Sequence, residues 1–485
     1  MTTPEVRPEE LSKPKASQWF ALIAIYAAAL ALRVGVALRS PSIEWPDEIF
    51  STLEPAHRLA YGYGVIVWEW RDGIRNWVYP AFLAGVMRAT AWMGPGSRGY
   101  VTGVIVVLSL LSLSSVWFAY AWAKKSSGTA AGLIAAGACA TWYQLVYFSP
   151  KAFSEVFATD FLLPGLYLGM YGDELPEKRR LLLAGLCLGI AACVRMQYVP
   201  AVAFAVLYFC HKKWAARAPA LFAGLLVPVI AFGVVDAFTW SYPFHSYLRY
   251  FPVAVFSGRN SLYGTEPWYI FFFALWRTMW PLILLAAAAV RRNALLVWVA
   301  AIIVVSHSAI THKEFRFIYP ALPLIVILAA MGFVEIAAFL GKRLSLLPSL
   351  RLVTATGLIC CVLISAGFAR GMHWDRSSGG LIAFDKLSQD PTVCGVVLLA
   401  IPWSLTGGYT HLHRDVPIII VNRNAPPTEQ MLNFNALVTL GERKNLPMGF
   451  ESEGCWNGVC LYRRPGPCVQ SGPVDEVNKM LANDH

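Results

Sequence analysis

Long apolar runs recur from Gln18 to Arg370 of this 485-residue chain, and they leave one class of fold open. A soluble domain has nowhere to bury so many of them, whereas a helix of roughly 20 apolar residues spans a bilayer's hydrocarbon core. With 57% hydrophobic residues and a mean hydropathy of +0.51, the chain is expected to be an all-α polytopic membrane protein. Runs at 18–38, 100–122, 129–148, 154–171, 181–198, 199–210, 216–237, 268–290, 294–310, 317–340 and 351–369 predict about 11 transmembrane helices. The first run, Trp19–Leu38, lacks a small-residue cleavage site and is followed by further spans, so it reads as a retained helix.

Two assignments rest on flanking charge. The run 199–210 is short and is counted because His211, Lys212 and Lys213 follow it. Val78–Met93 contains Arg88 and is shorter than a span, so it is placed in the first external loop as a surface or re-entrant helix. With that choice the basic N-terminus, Lys124–Lys125, Lys178–Arg180, His211–Lys213, Arg291–Arg292 and Lys342–Arg343 share the cytoplasmic side. The expected layout is a cytoplasmic tail (1–17), a transmembrane domain (18–370) with a long external loop (39–99), and an extracytoplasmic C-terminal domain (371–485). Segments 149–153, 238–267 and 311–316 lie on that external side as well.

From about Met372 the pattern changes to short strand-like runs, Val396–Ile401 and Val416–Val421, bounded by Pro, Gly and Asn. They predict a small α/β soluble appendage. Cys394, Cys455, Cys460 and Cys468 fall there, on the oxidising side, with Cys455–Cys460 the nearest pair for a disulfide. The six other cysteines lie in or beside apolar spans and read as buried thiols. His411 and His413 have no accompanying CxxC pair, so no metal is expected. The net charge of +11 is scattered among loops without a basic domain. It reads as topology determinants and contacts to anionic membrane lipids, with no nucleic-acid partner.

The external loop concentrates the chemistry. Between Glu44 and Trp77 it packs ten charged or His side chains among four tryptophans, in a chain only 14% charged. Charges crowded at a membrane mouth are costly unless they meet water or each other, which marks a functional site.

Within this loop WPDEIF, EPAHRLAYGYG and WEWRDGIRNWVYP resemble the first-loop signature of the lipid-phosphate-mannose-dependent mannosyltransferases of the GT-C superfamily. NSLYGTEPWYIFF, starting at Asn260, and THKEFRFIYPALPL, Thr311–Leu324, resemble two further family segments in order, and LLAIPWSLTGGYTHLH looks like a worn version of a fourth. One departure is visible: Trp45 stands where the family usually has His before Pro-Asp-Glu. The resemblance implies a GT-C fold and an inverting transfer of a sugar, most simply mannose, from a polyprenyl phosphate carrier to a lipid-linked or surface glycan acceptor. It implies no cofactor.

Such a transfer needs a carboxylate to take the acceptor's proton and donors to stabilise the departing phosphate. The resemblance places the base at Asp47, with Glu48 to orient or replace it. The competing reading, that Pro46-Asp47-Glu48 merely opens a surface helix, yields to the downstream motifs. His312, Lys313 and Arg316 are the candidates for the donor phosphate, since Lys supplies a point charge and Arg a fork; interfacial anchoring is their alternative. Glu54, His57, Trp68, Glu69, Arg71, Arg75, Tyr263 and Trp268 are candidate substrate-binding residues. Arg71 and Arg75, four apart, would share a helix face, with ion pairing to Glu69 or Asp72 as the other possibility. Glu155 and Arg195 either line the cavity or form an intramembrane salt bridge.

Short loops and the lack of an N-x-S/T sequon favour a bacterial inner membrane with a periplasmic site, the alternative being a lumenal site in the endoplasmic reticulum. A lipid-linked sugar transporter or flippase would also be polytopic and basic, but transporters place polar residues at the midplane and repeat their halves. A non-catalytic polyprenyl-binding subunit is the third reading.

Overall fold

The computed structural model describes residues 16–172, 174–345, 349–421, 434–443, 446, 449–466 and 476–483. Every apolar run named above folds as helix. Six helices among the described residues are long and apolar enough to cross a membrane: Gln18–Arg39, Tyr100–Thr141, Trp214–Thr239, Ile270–Arg292, Ala321–Arg343 and Leu350–Ala369. The expected count of about eleven is not reached by that measure. Ser154–Met170, Ala294–Ser308 and Val199–Cys210 are helices of 17, 15 and 12 residues, and Glu177–Val194 begins with four consecutive charged residues.

Small residues set how closely the helices pack. A Cβ on Gly185 would fall 2.0 Å from Leu221 O, and one on Gly224 would fall 1.9 Å from Leu182 O, so Glu177–Val194 and Trp214–Thr239 meet backbone to backbone. The 42-residue stretch Tyr100–Thr141 is two helices, because Gly128 takes φ 86° and ψ 176°. That region of φ is open to glycine without a Cβ penalty.

The ends of the bundle sort by chemistry. Ser126 Oγ and Trp122 Nε1 donate to Asn293 Oδ1 at 3.2 and 3.3 Å, so the 124–125 and 291–292 basic pairs share one end. Arg217 Nε donates to Glu177 Oε1 at 2.9 Å, drawing together the 177–180 and 211–217 turns. At the other end Lys151 meets Glu48, Arg259 meets Asp72, Arg316 meets Asp47 and Arg376 meets Glu44. All five segments expected to be external are represented in those pairs.

The external loop is helical in pieces: a π-helix at Glu48–Leu53, then α-helices at Glu54–Tyr61, Trp68–Arg71 and Val78–Ala89. The last is the short helix that the sequence kept out of the membrane. The C-terminal segment holds five strands, β1 (Val396–Leu399), β2 (Ile418–Val421), β3 (Ala436–Leu440), β4 (Glu451–Trp456) and β5 (Val459–Arg463), in the order β2-β1-β3-β5-β4. β1 runs parallel to β2 and β3, while β5 is antiparallel to β3 and β4. Cys455 and Cys460 face each other across the β4–β5 hairpin and are disulfide-bonded. Cys394 is disulfide-bonded too, and Cys468 lies outside the described residues. The sheet is not a free appendage: Leu398, Tyr409, Leu412, Val438 and Leu461 share one core with Phe50, Leu53, Ala56 and Trp70 of the external loop.

Candidate active site

Pro46 opens the segment that carries the two acids. The carbonyl of Pro46 accepts from both Ile49 N and Phe50 N, and Thr52 Oγ1 donates to Asp47 O at 2.9 Å. The chain then winds as a π-helix, a rare form found mostly at functional sites. As a result the neighbours Asp47 and Glu48 face different cavities. Asp47 lines one of about 70 Å³ with Arg75, Arg195, Arg316, Gln197 and Tyr250. Glu48 lines one of about 1170 Å³ on the other side.

Arg316 is the hub. It sits on a 3-10 turn, Phe315–Ile318, and is only 3% exposed. Its Nε donates to Glu314 Oε2 at 2.5 Å, its Nη1 to Glu155 Oε1 at 3.1 Å and its Nη2 to Asp47 Oδ2. Arg195 Nη2 reaches the same Glu155 oxygen at 2.8 Å. Trp45 stacks on Phe148 with ring centroids 5.8 Å apart, and its own ring lies 5.7 Å from the Arg316 guanidinium. The Trp at the family's His position therefore walls the cation in.

Burial acts to raise the Asp47 carboxyl, but Arg316, with Arg75 and Arg195 behind it, outweighs burial and holds it below the ordinary carboxylate range. Glu48 moves the other way: burial raises it and Lys151, 3.0 Å from its Oε2, does not compensate. Two adjacent carboxyls pushed apart in this way are suited to different tasks. Asp47 stays ionised, and its Oδ1 accepts no hydrogen bond among the described residues.

The comparisons with known proteins agree with this arrangement. The model of the Alg9-like mannosyltransferase family matches residues 24–413. The chain belongs to the Alg9-like mannosyltransferases. Among relatives, GPI mannosyltransferase 3 of Yarrowia lipolytica is 29% identical over 86% of this chain and 80% of its own length. Mannosyltransferase APTG1 of Arabidopsis thaliana is 26% identical over 88% and 81%. In fold the chain is similar to ArnT from Cupriavidus metallidurans, solved bound to undecaprenyl phosphate, with a TM-score of 0.62 at 13% identity over 95% of this chain and all of that one. The resemblance read from WPDEIF and HKEFR thus holds: the protein is a multi-pass membrane glycosyltransferase with a GT-C fold. The named relatives are eukaryotic, so the expected bacterial inner membrane gains no support from them.

In this Alg9-like protein the candidate residues divide. Asp47, Arg75 and Arg316 line the smaller cavity, as does Arg195, while Glu155 sits just behind, bridging the two arginines. Glu69 backs Arg75, accepting from its Nη2 at 2.5 Å and from Ser51 Oγ at 2.6 Å. His312 and Lys313 do not join Arg316. The turn sends them outward, where His312 is bonded to Gly264 O and Glu314 and Lys313 to Glu266 O, tying two external loops together. Glu54 and His57 are fully buried and line neither cavity. Glu54 accepts from Val65 N at 2.7 Å and from Thr410 N and Oγ1 at 2.5 and 2.6 Å. His57 lies 3.1 Å from His413 Nδ1 and 2.9 Å from Tyr63 O. Both residues join the loop to the C-terminal segment.

Arg71 and Arg75 do not share a helix face. The helix stops at Arg71 because Gly73 takes φ +65°, and a Cβ there would lie 2.7 Å from His245 Nε2. Arg71 instead donates to Asn478 O at 2.5 Å. Trp68 stacks on Tyr263 at 6.0 Å, and Trp268 is exposed beside Tyr269 and Phe272; none of these lines either cavity. Sequence reasoning missed Gln197, Tyr250 and Lys151. Lys151, in the five-residue link 149–153 after Phe148, carried the only signal: a lysine in a short link expected on the same side as the acid-rich loop.

Proposed function

We propose that the protein transfers mannose from a polyprenyl phosphate carrier to a hydroxyl of a glycan acceptor, inverting the anomeric carbon, on the membrane face opposite the cytoplasm. The observation that carries this is one ionised carboxylate, Asp47, sharing a cavity with three guanidiniums. The acceptor oxygen attacks the anomeric carbon as its proton passes to Asp47 Oδ1. The bond from that carbon to the phosphate oxygen breaks, and its electron pair leaves with the phosphate. Arg75 and Arg195 line the same cavity as Asp47, so their guanidiniums are placed to meet the developing charge. Arg316 holds Asp47 in place and ionised. This reading moves the phosphate role from His312 and Lys313 to Arg75 and Arg195.

The polar groups gather at one end of the bundle, which supports transfer at a surface over transport through the midplane. The lumen of the endoplasmic reticulum is the compartment that best suits the eukaryotic relatives. The test is transfer by the purified protein from a polyprenyl phosphate mannose, with the linkage of the product read by NMR. Hydrolysis or transfer that persists at the wild-type rate in Asp47→Asn overturns the assignment.

A further inference from the structure

Arg75 is held at both ends. Its guanidinium is tied to Glu69, while its backbone lies between the helices Trp68–Arg71 and Val78–Ala89, where the chain turns through Gly73. What fixes that backbone comes from the outer end of the helix Trp214–Thr239. Asp236, one turn before the end of that helix and 160 residues beyond Asn76, is fully buried. Its Oδ1 accepts from Asn76 Nδ2 at 2.6 Å, and its Oδ2 accepts from Ser246 N at 2.9 Å and from Ser246 Oγ at 2.7 Å. Trp240, just past the helix, donates from Nε1 to Arg75 O at 3.0 Å.

These bonds join two walls of one cavity. Asn76 shares its Nδ2 between Asp236 and Phe232 O, 3.1 Å away, and its Oδ1 accepts from Val78 N at 3.0 Å, so its amide is oriented on both sides. Ser246 begins the opposite wall, the helix His245–Tyr250. There Tyr247 OH donates to Cys193 O at 2.7 Å and Tyr250 OH accepts from Gln197 Nε2 at 2.5 Å. Asn76, Ser246, Tyr247 and Tyr250 line the cavity of Asp47, and Asp236 does not. A buried carboxylate is costly unless donors meet it, and the three that meet this one belong to two separate pieces of the cavity wall. An acid inside a membrane helix is kept for function more often than for stability.

We propose that Asp236 is a positioning residue for the transfer: with Trp240 it fixes the turn that presents Arg75 to the cavity, and it acts on the reaction through Arg75. The proposal rests on the reading that gives Arg75 the donor phosphate. Asparagine at position 236 offers one acceptor and one donor where two acceptors stood. Ser246 supplies two bonds and Asn76 one, so the new amide keeps its oxygen on Ser246 and turns its NH2 against the NH2 of Asn76. The turn is then released from the helix His245–Tyr250, and the guanidinium no longer meets the phosphate at a set distance.

The test is a double-mutant cycle on the full chain in neutral detergent. It reads the affinity for undecaprenyl phosphate, the carrier without its sugar, and kcat for transfer from polyprenyl phosphate mannose. Asp236→Asn and Arg75→Gln should each weaken carrier binding and lower kcat ~10-fold or more, and the two together should lose no more than Arg75→Gln alone. Losses that multiply overturn the proposal, because Asp236 then acts on something other than Arg75. Wild-type values for Asp236→Asn, or a lower melting temperature with both readouts unchanged, overturn it as well. If Asp236→Asn does not fold, Trp240→Phe runs the same cycle. It keeps a ring against Trp70 and Trp77 but removes the donor to Arg75 O, and its smaller loss should vanish in the Arg75→Gln background; no loss, or one that multiplies, ends the proposal. Arg75→Gln with wild-type binding and kcat refutes the phosphate reading itself and the proposal with it. The expected cycle in carrier affinity, together with no transfer by wild type, refutes the transfer reading alone and leaves Asp236 positioning Arg75.

Discussion

Replacing Arg316 separates the two ways in which one guanidinium can matter. In the native protein it donates to three carboxylates, Glu314, Glu155 and Asp47, while only 3% exposed. Lysine keeps the charge but has a single nitrogen without the fork, so it satisfies one of the three and leaves two to repel. Each charge-assisted hydrogen bond is worth about 1.5–3 kcal/mol, so losing two costs about 3 kcal/mol or more before relaxation. Alanine leaves all three carboxylates uncompensated, and breaking a buried ion pair costs about 3–5 kcal/mol. Arg195 still binds Glu155 and spares part of that loss, yet alanine gives up all three bonds where lysine gives up two, so it costs the more. The expected order of melting temperature in detergent is wild type, then Lys, then Ala. Activity adds a second readout. Without Arg316, the burial that pushes the Asp47 carboxyl up is opposed only by Arg75 and Arg195, so the acid limb of kcat/KM shifts to higher pH. Arg316→Ala with the wild-type melting temperature and an unmoved acid limb would refute the cluster described here.

Asp47→Asn should fold and bind the carrier normally while losing ~10²-fold or more in turnover, the scale for a general base; Glu48→Gln, facing the other cavity, should lose far less. In a membrane-impermeant thiol-labelling assay, a cysteine at Asn260 should react from the non-cytoplasmic side and one at Ser126 should not; the reverse pattern would invert the site's sidedness. Burial lowers His57 to about 3, so the folded state binds fewer protons than the unfolded chain. Stability is therefore full above the ordinary histidine pKa and is lost as pH falls from there toward 3. His57→Gln should flatten that slope in thermal melts taken across the same interval.

What could be read from the sequence was whatever depends on short range. Apolar runs gave helices, and Val78–Met93 gave a short one, Val78–Ala89, because helix formation and length are local properties. Asp47 was found because a linear motif surrounds it. The partners of these residues were not legible. Arg316 meets Asp47 across 269 residues, and which of three basic residues in HKEFR turns inward depends on a single 3-10 turn at Phe315–Ile318. Glu54 and His57 sit in the same dense loop as Asp47, and nothing in their spacing separates a buried tie from a ligand. The expectation for Arg71 and Arg75 failed at Gly73, a stop signal lying between them in the sequence, which takes φ +65° and ends the helix.

The shared core of the external loop and the C-terminal sheet has a consequence for biosynthesis. Ile66 N donates to Asn478 Oδ1 at 2.7 Å across 412 residues, and Glu54 is satisfied by Thr410 across 356. A ribosome adding ~5–20 residues per second needs roughly 20–80 s to travel from Ile66 to Asn478. For that interval the loop bearing Asp47 has its buried acid Glu54 unsatisfied and the C-terminal part of its core absent. The external loop cannot complete this shared core before the residues around Asn478 have been made. A nascent chain stalled or cut after the final membrane helix would hold every residue of the HKEFR and WPDEIF segments and still leave Glu54 without Thr410 and Ile66 without Asn478.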